Sequence, residues 1–158
     1  MMITMPKLEE GRLYHREEVG DYLGFQTGSS NFDVAALRFP KNLLTWEDDP
    51  LAWRNGEEIL LQYQVFPMDA LKSQVRSLDA TFWELEAERK RVEAIIEILH
   101  NGEPLFPVLM QQNDPQRRVI EGMHRSVALL RLESPCLPAF LMGYRAWFTE
   151  PEQPLNTN

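Results

Sequence analysis

Cysteine is almost missing from this chain. Cys136 is the single example, so an intrachain disulfide and a zinc site built from several thiolates are both excluded. A reducing compartment is the matching expectation. Long apolar runs are missing too, for nowhere do about 18 consecutive apolar residues occur, the length a membrane-crossing helix needs. The opening Met1-Met2-Ile3-Thr4-Met5-Pro6-Lys7 lacks the basic segment and apolar stretch of a secretory leader, and a cytoplasmic protein with no membrane partner is expected. Positive charge is scarce: 16 Lys and Arg stand against 24 Asp and Glu, a formal net charge of −8. That is the wrong sign for a surface living on phosphate-backbone contacts, so nucleic acid is not the expected partner and nuclease activity ranks low. There is no Walker loop, no G-x-S-x-G elbow and no zinc-helix motif.

What is present is an ordinary globular composition, 44% hydrophobic and 25% charged over 158 residues, suited to one domain that folds in water. The character of the chain changes near residue 57. Before it, Gly20, Gly24, Gly28-Ser29-Ser30, Pro40 and Asp48-Asp49-Pro50 break the sequence into short, loop-linked pieces, among them a helix near residues 15–23 and a strand near 33–39. Residues 14–24 have a faint helix-turn-helix look. Gly28-Ser29-Ser30 falls where a second helix should begin, and no basic recognition helix follows.

After residue 57 the pattern is regular. Residues 59–66 alternate as a strand stopped by Pro67, and a connection through Asp69 and Ser77 follows. Val92, Ile95, Ile96 and Leu99 repeat at helical spacing within a long helix over residues 81–100, and Asn101-Gly102 supplies its stop. Strands are predicted over 106–111 and 118–120 around a turn at Asn113-Asp114-Pro115-Gln116, then a helix over 124–132 and a last strand over 137–144. The fold class is thus α/β (α+β), a small mixed sheet with packed helices. Residues 1–56 form an amino-terminal elaboration packed on the same domain, 57–148 the main domain and 149–158 a tail.

The stretch Val119-Ile120-Glu121-Gly122-Met123-His124-Arg125-Ser126 carries the most chemistry. A strand ends in glycine and a helix begins, which is an anion-binding arrangement: glycine lets a ligand approach the main chain, and the first N–H groups of the helix attract negative charge. His124 and Arg125 add donors, Ser126 a hydroxyl, and Glu121 a carboxylate placed to hold a metal or accept a proton. Each has a plainer reading as well. His124 could cap the helix, Arg125 could pair with Glu133 or Glu121, and Glu121 could be a solvated loop carboxylate. Elsewhere, Trp46, Trp53, Trp83 and Trp147 with Phe82 and Phe148 read as core, Glu47-Asp48-Asp49 as a solvated turn, and residues 84–91 as the charged face of a helix. His15 and His100 are too isolated for a metal site.

From residue 59 to 144 the order of elements, with Ile95 to Leu109, Glu121-Gly122-Met123-His124-Arg125 and Leu137-Pro138-Ala139-Phe140, resembles the ParB/sulfiredoxin superfamily. The resemblance implies a nucleotide-binding domain that takes ATP or ADP with magnesium, its phosphates at the helix following Gly122. Carried over residue by residue, Gly122, Met123, His124, Arg125 and Ser126 would bind nucleotide. Arg91 would keep the cation that sulfiredoxins carry on the long helix, whose small hydroxyl positions are here Ala94 and Ile98. Met123 occupies the place of the sulfiredoxin catalytic cysteine and cannot form a thiolate, so that activity is not expected. The partition proteins carry paired arginines where this chain has His124-Arg125. The nearest motif is the D-G-H-H-R of the free-serine kinases, whose glutamate base falls near Gln74 or Val75 here, leaving Asp69, Asp79 or Glu84 as substitutes.

Two functions follow from the resemblance. One is an ATPase or small-molecule phosphotransferase with Glu121 and His124 in the catalytic roles. The other is a non-catalytic protein-interaction or inhibitory module of plasmid or phage type, with a protein partner.

Overall fold

Short apolar strands and amphipathic helices alternate along the chain, and burying both faces of a sheet is the simplest way to satisfy them. The structure, a computed structural model, describes residues 3–23, 58–112 and 114–149. The strand expected over 33–39, Trp46, Trp53, the acidic turn at 47–49, Asn113 and the tail beyond 149 lie outside the described residues.

Leu13–His15 is a first short strand, β1, followed by a 3-10 segment over Arg16–Tyr22. The Glu18 carboxylate accepts a hydrogen bond from the His15 N–H (2.8 Å) at the start of that segment. Then come β2 (Ile59–Pro67), helices α1 (Met68–Glu84) and α2 (Glu86–His100), β3 (Val108–Gln111), β4 (Val119–Glu121), α3 (Met123–Arg131), β5 (Cys136–Tyr144) and a one-turn helix α4 (Arg145–Thr149). The five strands form one mixed sheet in the order β1-β2-β5-β3-β4, with β5 parallel to β3 and the other pairs antiparallel. The mixed sheet with packed helices is the α/β class expected from the sequence.

Both faces are covered, which explains why β5 is apolar at nearly every position. Leu137, Ala139 and Leu141 of β5 and Val108 and Met110 of β3 face α1, α2 and α3 in one buried cluster. Phe140, Met142 and Tyr144 with Leu109, Leu61 and Tyr63 face the other way, where Tyr14, Val19 and Leu23 close over them. The two-residue period of a strand sorts the side chains between these layers. Val92, Ile95 and Leu99 are buried in the helical layer, and Ile96 packs half-buried against it.

The connection expected through Asp69 and Ser77 is instead helix α1. Pro67 stands just before its first turn with extended backbone angles, and the Met68 N–H donates to the Pro135 carbonyl (2.9 Å). Met68, Leu71, Val75 and Phe82 lie on one face of this helix and are buried, with Leu78 packed against the same cluster. The long helix expected over 81–100 divides at Leu85, whose backbone is extended (φ −101°, ψ 116°). The Arg89 guanidinium donates to the Trp83 carbonyl (3.1 Å), meeting one of the carbonyls that the end of α1 leaves free.

Helix α2 stops as its Asn-Gly ending predicts. Gly102 takes φ +86°, its N–H reaches the Leu99 carbonyl (3.1 Å), and the Glu103 N–H reaches that of Ile98 (3.4 Å). Helix α3 ends with the same pattern, from the Glu133 N–H to Leu130 (3.0 Å) and from Ser134 to Leu129 (2.9 Å), but with Glu133 at φ +57° in the place of glycine.

Candidate functional site

The site expected from the sequence lies where β4 hands the chain to α3. Gly122 makes the corner with φ +91°, a left-handed conformation that glycine adopts without penalty. No side chain caps the helix. Its first internal bond runs from the Ser126 N–H to the Gly122 carbonyl (3.0 Å), so the N–H groups of Met123, His124 and Arg125 are left at the open end of a nine-residue helix.

His124 is half-buried and held from two sides. Its ring stacks on Phe82 of α1 with centroids 4.4 Å apart and planes 12° from parallel. Its Nε2 lies 3.1 Å from the Glu88 carboxylate of α2. The same carboxylate oxygen stands 3.8 Å from the guanidinium of Arg91, which is mostly exposed. Glu88, not one of the three substitutes considered in the sequence, is thus the carboxylate that reaches the motif. Asp79 is engaged by Arg131 at the far end of α3 (2.7 and 3.3 Å), where the arginine also lies 3.2 Å above the Trp83 ring. Asp69 is almost fully exposed beside Lys72, and Glu84 is exposed.

Arg125 departs from the expectation of an open, phosphate-facing side chain. It is 4% exposed, and its Nη1 donates to the carbonyls of Phe106 (3.1 Å) and Pro107 (2.8 Å). Those carbonyls belong to an approach segment that begins pairing as a strand only at Val108, two residues later than the sequence suggests. Burial pushes the guanidinium down to about 10, the charge of Glu121 opposing that shift, and it stays protonated at neutral pH. The guanidinium sits directly beneath Gly122: a Cβ placed there would meet its atoms at 2.8–2.9 Å. Helical spacing held the clue, because Arg125, Ala128 and Leu129 fall at i, i+3 and i+4, and the last two are buried.

Ser126 is fully buried and its hydroxyl donates to the Met123 carbonyl (2.6 Å). Glu121 and Met123 are half-buried. The corner therefore has open backbone N–H groups and the His124 ring, with the Arg125 charge behind the glycine and the half-buried Glu121 near enough to act on that charge. Among the described residues no group of three His, Cys, Asp or Glu side chains gathers to hold a metal. Any metal ion at this corner would have Glu121 and the His124-bound Glu88 as its neighbouring carboxylates.

No helix among the described residues is long and apolar enough to cross a membrane. Comparison with protein families, with curated proteins and with solved structures finds no match.

Proposed function

We propose that the chain is a nucleotide-binding protein of the ParB/sulfiredoxin type that holds the phosphates of ATP or ADP at the start of α3. The observation that carries this reading is the corner itself, a left-handed Gly122 leading into a helix that no side chain caps, with a protonated guanidinium lodged under the glycine. Backbone N–H groups and helix dipole attract a phosphate there, and the Arg125 charge adds attraction from below without spending its hydrogen bonds on the ligand.

With Nε2 held by Glu88 and the ring stacked on Phe82, His124 would meet a phosphate oxygen through Nδ1. Glu121, one residue before the glycine, would accept the proton of an attacking hydroxyl or water, the role that makes this an ATPase or a small-molecule phosphotransferase. Thermal unfolding with ATP, ADP, CTP and GTP, with and without magnesium, tests the binding. Nucleotide at about a hundred times its dissociation constant stabilises the fold by ~2.7 kcal/mol. For a domain of this size that is a rise in melting temperature of roughly 5–10 °C. Glu121→Gln should keep that rise while phosphate release falls about a hundredfold or more. Equal turnover in both proteins removes Glu121 from catalysis, and no shift with any nucleotide removes the site.

A second reading, the non-catalytic protein-interaction or inhibitory module, draws on a specific observation. Arg125 and Ser126 direct their side-chain hydrogen bonds into the protein, to the Phe106, Pro107 and Met123 carbonyls. In that case no hydroxyl acceptor yields phosphate release, whether or not nucleotide raises the melting temperature.

A further inference from the structure

A second concave site lies at the other end of β4, away from Gly122. It is an open groove of about 650 Å³ between α1 and the turn joining β3 to β4. Phe66 and Leu71 form its apolar wall, Ser73 and Ser77 present hydroxyls one helical turn apart, and Arg117 closes the opposite side. Among the described residues lining it, Arg117 is the only charged one, and none is a carboxylate. On a chain of net charge −8 this lining carries one positive charge and no negative one.

The placement of Arg117 is strained and enforced. Its φ is +53°, a left-handed conformation costly for a residue with a side chain. Two side chains, Gln74 and Asp114, fix the surrounding backbone with four hydrogen bonds. The Gln74 amide donates to the Arg117 carbonyl (3.0 Å), its other atom accepts from the Val119 N–H (2.6 Å), and buried Asp114 accepts from the N–H groups of Gln116 and Arg118 on either side (both 3.0 Å). The guanidinium itself is held loosely. Its bond to the Gln112 carbonyl is a long one (3.4 Å), and its carbon lies 6.0 Å from the Phe66 ring centroid, at the outer limit of a cation–π contact. A turn that needed only to reverse the chain would be better served by glycine at this position.

We infer that this groove binds a small organic anion, a carboxylate or phosphate carried on a flat apolar body. The body lies against Phe66 and Leu71, and the anion takes the Arg117 fork with the hydroxyls of Ser73 and Ser77. The inference does not depend on the nucleotide site, which uses other residues.

Two aryl anions, benzoate and phenyl phosphate, separate the two sources of charge, with benzyl alcohol as the neutral control. Titrations followed by backbone amide shifts are expected to show binding of at least one anion, centred on residues 73, 74, 77 and 117, and none of benzyl alcohol. Arg117→Gly removes the fork and relieves the backbone, so it should melt no lower than the parent while losing about tenfold or more in affinity, ~1.4 kcal/mol or above. Arg117→Gln should lose affinity similarly. Absence of binding by both anions, equal binding by benzyl alcohol, or unchanged affinity in both variants overturns the inference.

Discussion

Gly122 and Gly102 offer a matched pair of perturbations, since their backbones are nearly alike (φ +91° and +86°) and their surroundings are not. A Cβ built on Gly102 meets nothing within 4 Å, so Gly102→Ala should cost only the left-handed backbone penalty, about 1 kcal/mol. A Cβ on Gly122 meets the Arg125 guanidinium at 2.8–2.9 Å and has to push it aside. That side chain is buried, and moving it weakens charged hydrogen bonds to the Phe106 and Pro107 carbonyls, worth roughly 1.5–3 kcal/mol apiece. Losing the equivalent of one of them brings Gly122→Ala to about 3 kcal/mol. The corresponding drops in melting temperature are roughly 2–4 °C for Gly102→Ala and 6–12 °C for Gly122→Ala. Urea unfolding followed by circular dichroism gives both free energies. A cycle with Arg125→Ala isolates the contact: with the guanidinium gone, Gly122→Ala should cost only about 1 kcal/mol, as Gly102→Ala does. Equal costs at the two glycines, or a Gly122→Ala cost that persists when Arg125→Ala is also present, would refute the assignment of Arg125 beneath the corner.

Two further expectations concern the turns. Glu133→Gly should raise stability by roughly 0.5–1 kcal/mol, because an exposed glutamate now occupies the left-handed position that glycine fills in α2; melting curves decide it. Asp114 is buried, which pushes its carboxyl up, but the hydrogen bonds from Arg118 and Gln116 outweigh burial and hold it below its ordinary 3.8. Its contribution is therefore present above pH 3.8 and lost as pH falls through the lower folded value, so Asp114→Asn should cost about 1–3 kcal/mol near neutrality. In urea unfolding across a pH series, the gap between parent and variant should close on acidification below the carboxylate range.

Local chemistry made much of the fold legible. The alternation in β2, the helical spacing of Val92, Ile95 and Leu99, the Asn101-Gly102 stop and the Gly122 corner all depend on neighbouring residues, and all stand where the sequence puts them. Helix α1 was not legible, because the polar residues Asp69, Lys72, Ser73, Gln74 and Arg76 hide a regular apolar face at Met68, Leu71, Val75 and Phe82. Neither glycine nor proline marks the break at Leu85. The site was legible as a corner and not as a set of contacts. Glu88 and Phe82 meet His124 only through the packing of α1, α2 and α3, and nothing within the charged run of residues 84–91 distinguishes Glu88 from Glu86, which pairs with Lys90 on the surface.

The sheet's longest pairing joins the two strands β2 and β5, Ile59 lying opposite Tyr144 and Pro67 opposite Cys136. Helices α1, α2 and α3 are all made between them. A chain emerging from the ribosome has the local contacts of α1 and α2 at hand at once, whereas among the described residues β2 meets its long partner only when β5 emerges. Non-local pairing of this kind is slow and leaves apolar strand surface open while it waits. β5, buried at nearly every position, is thus the strand that joins the β1–β2 pair to the β3–β4 pair, and until it is made the sheet is in two pieces.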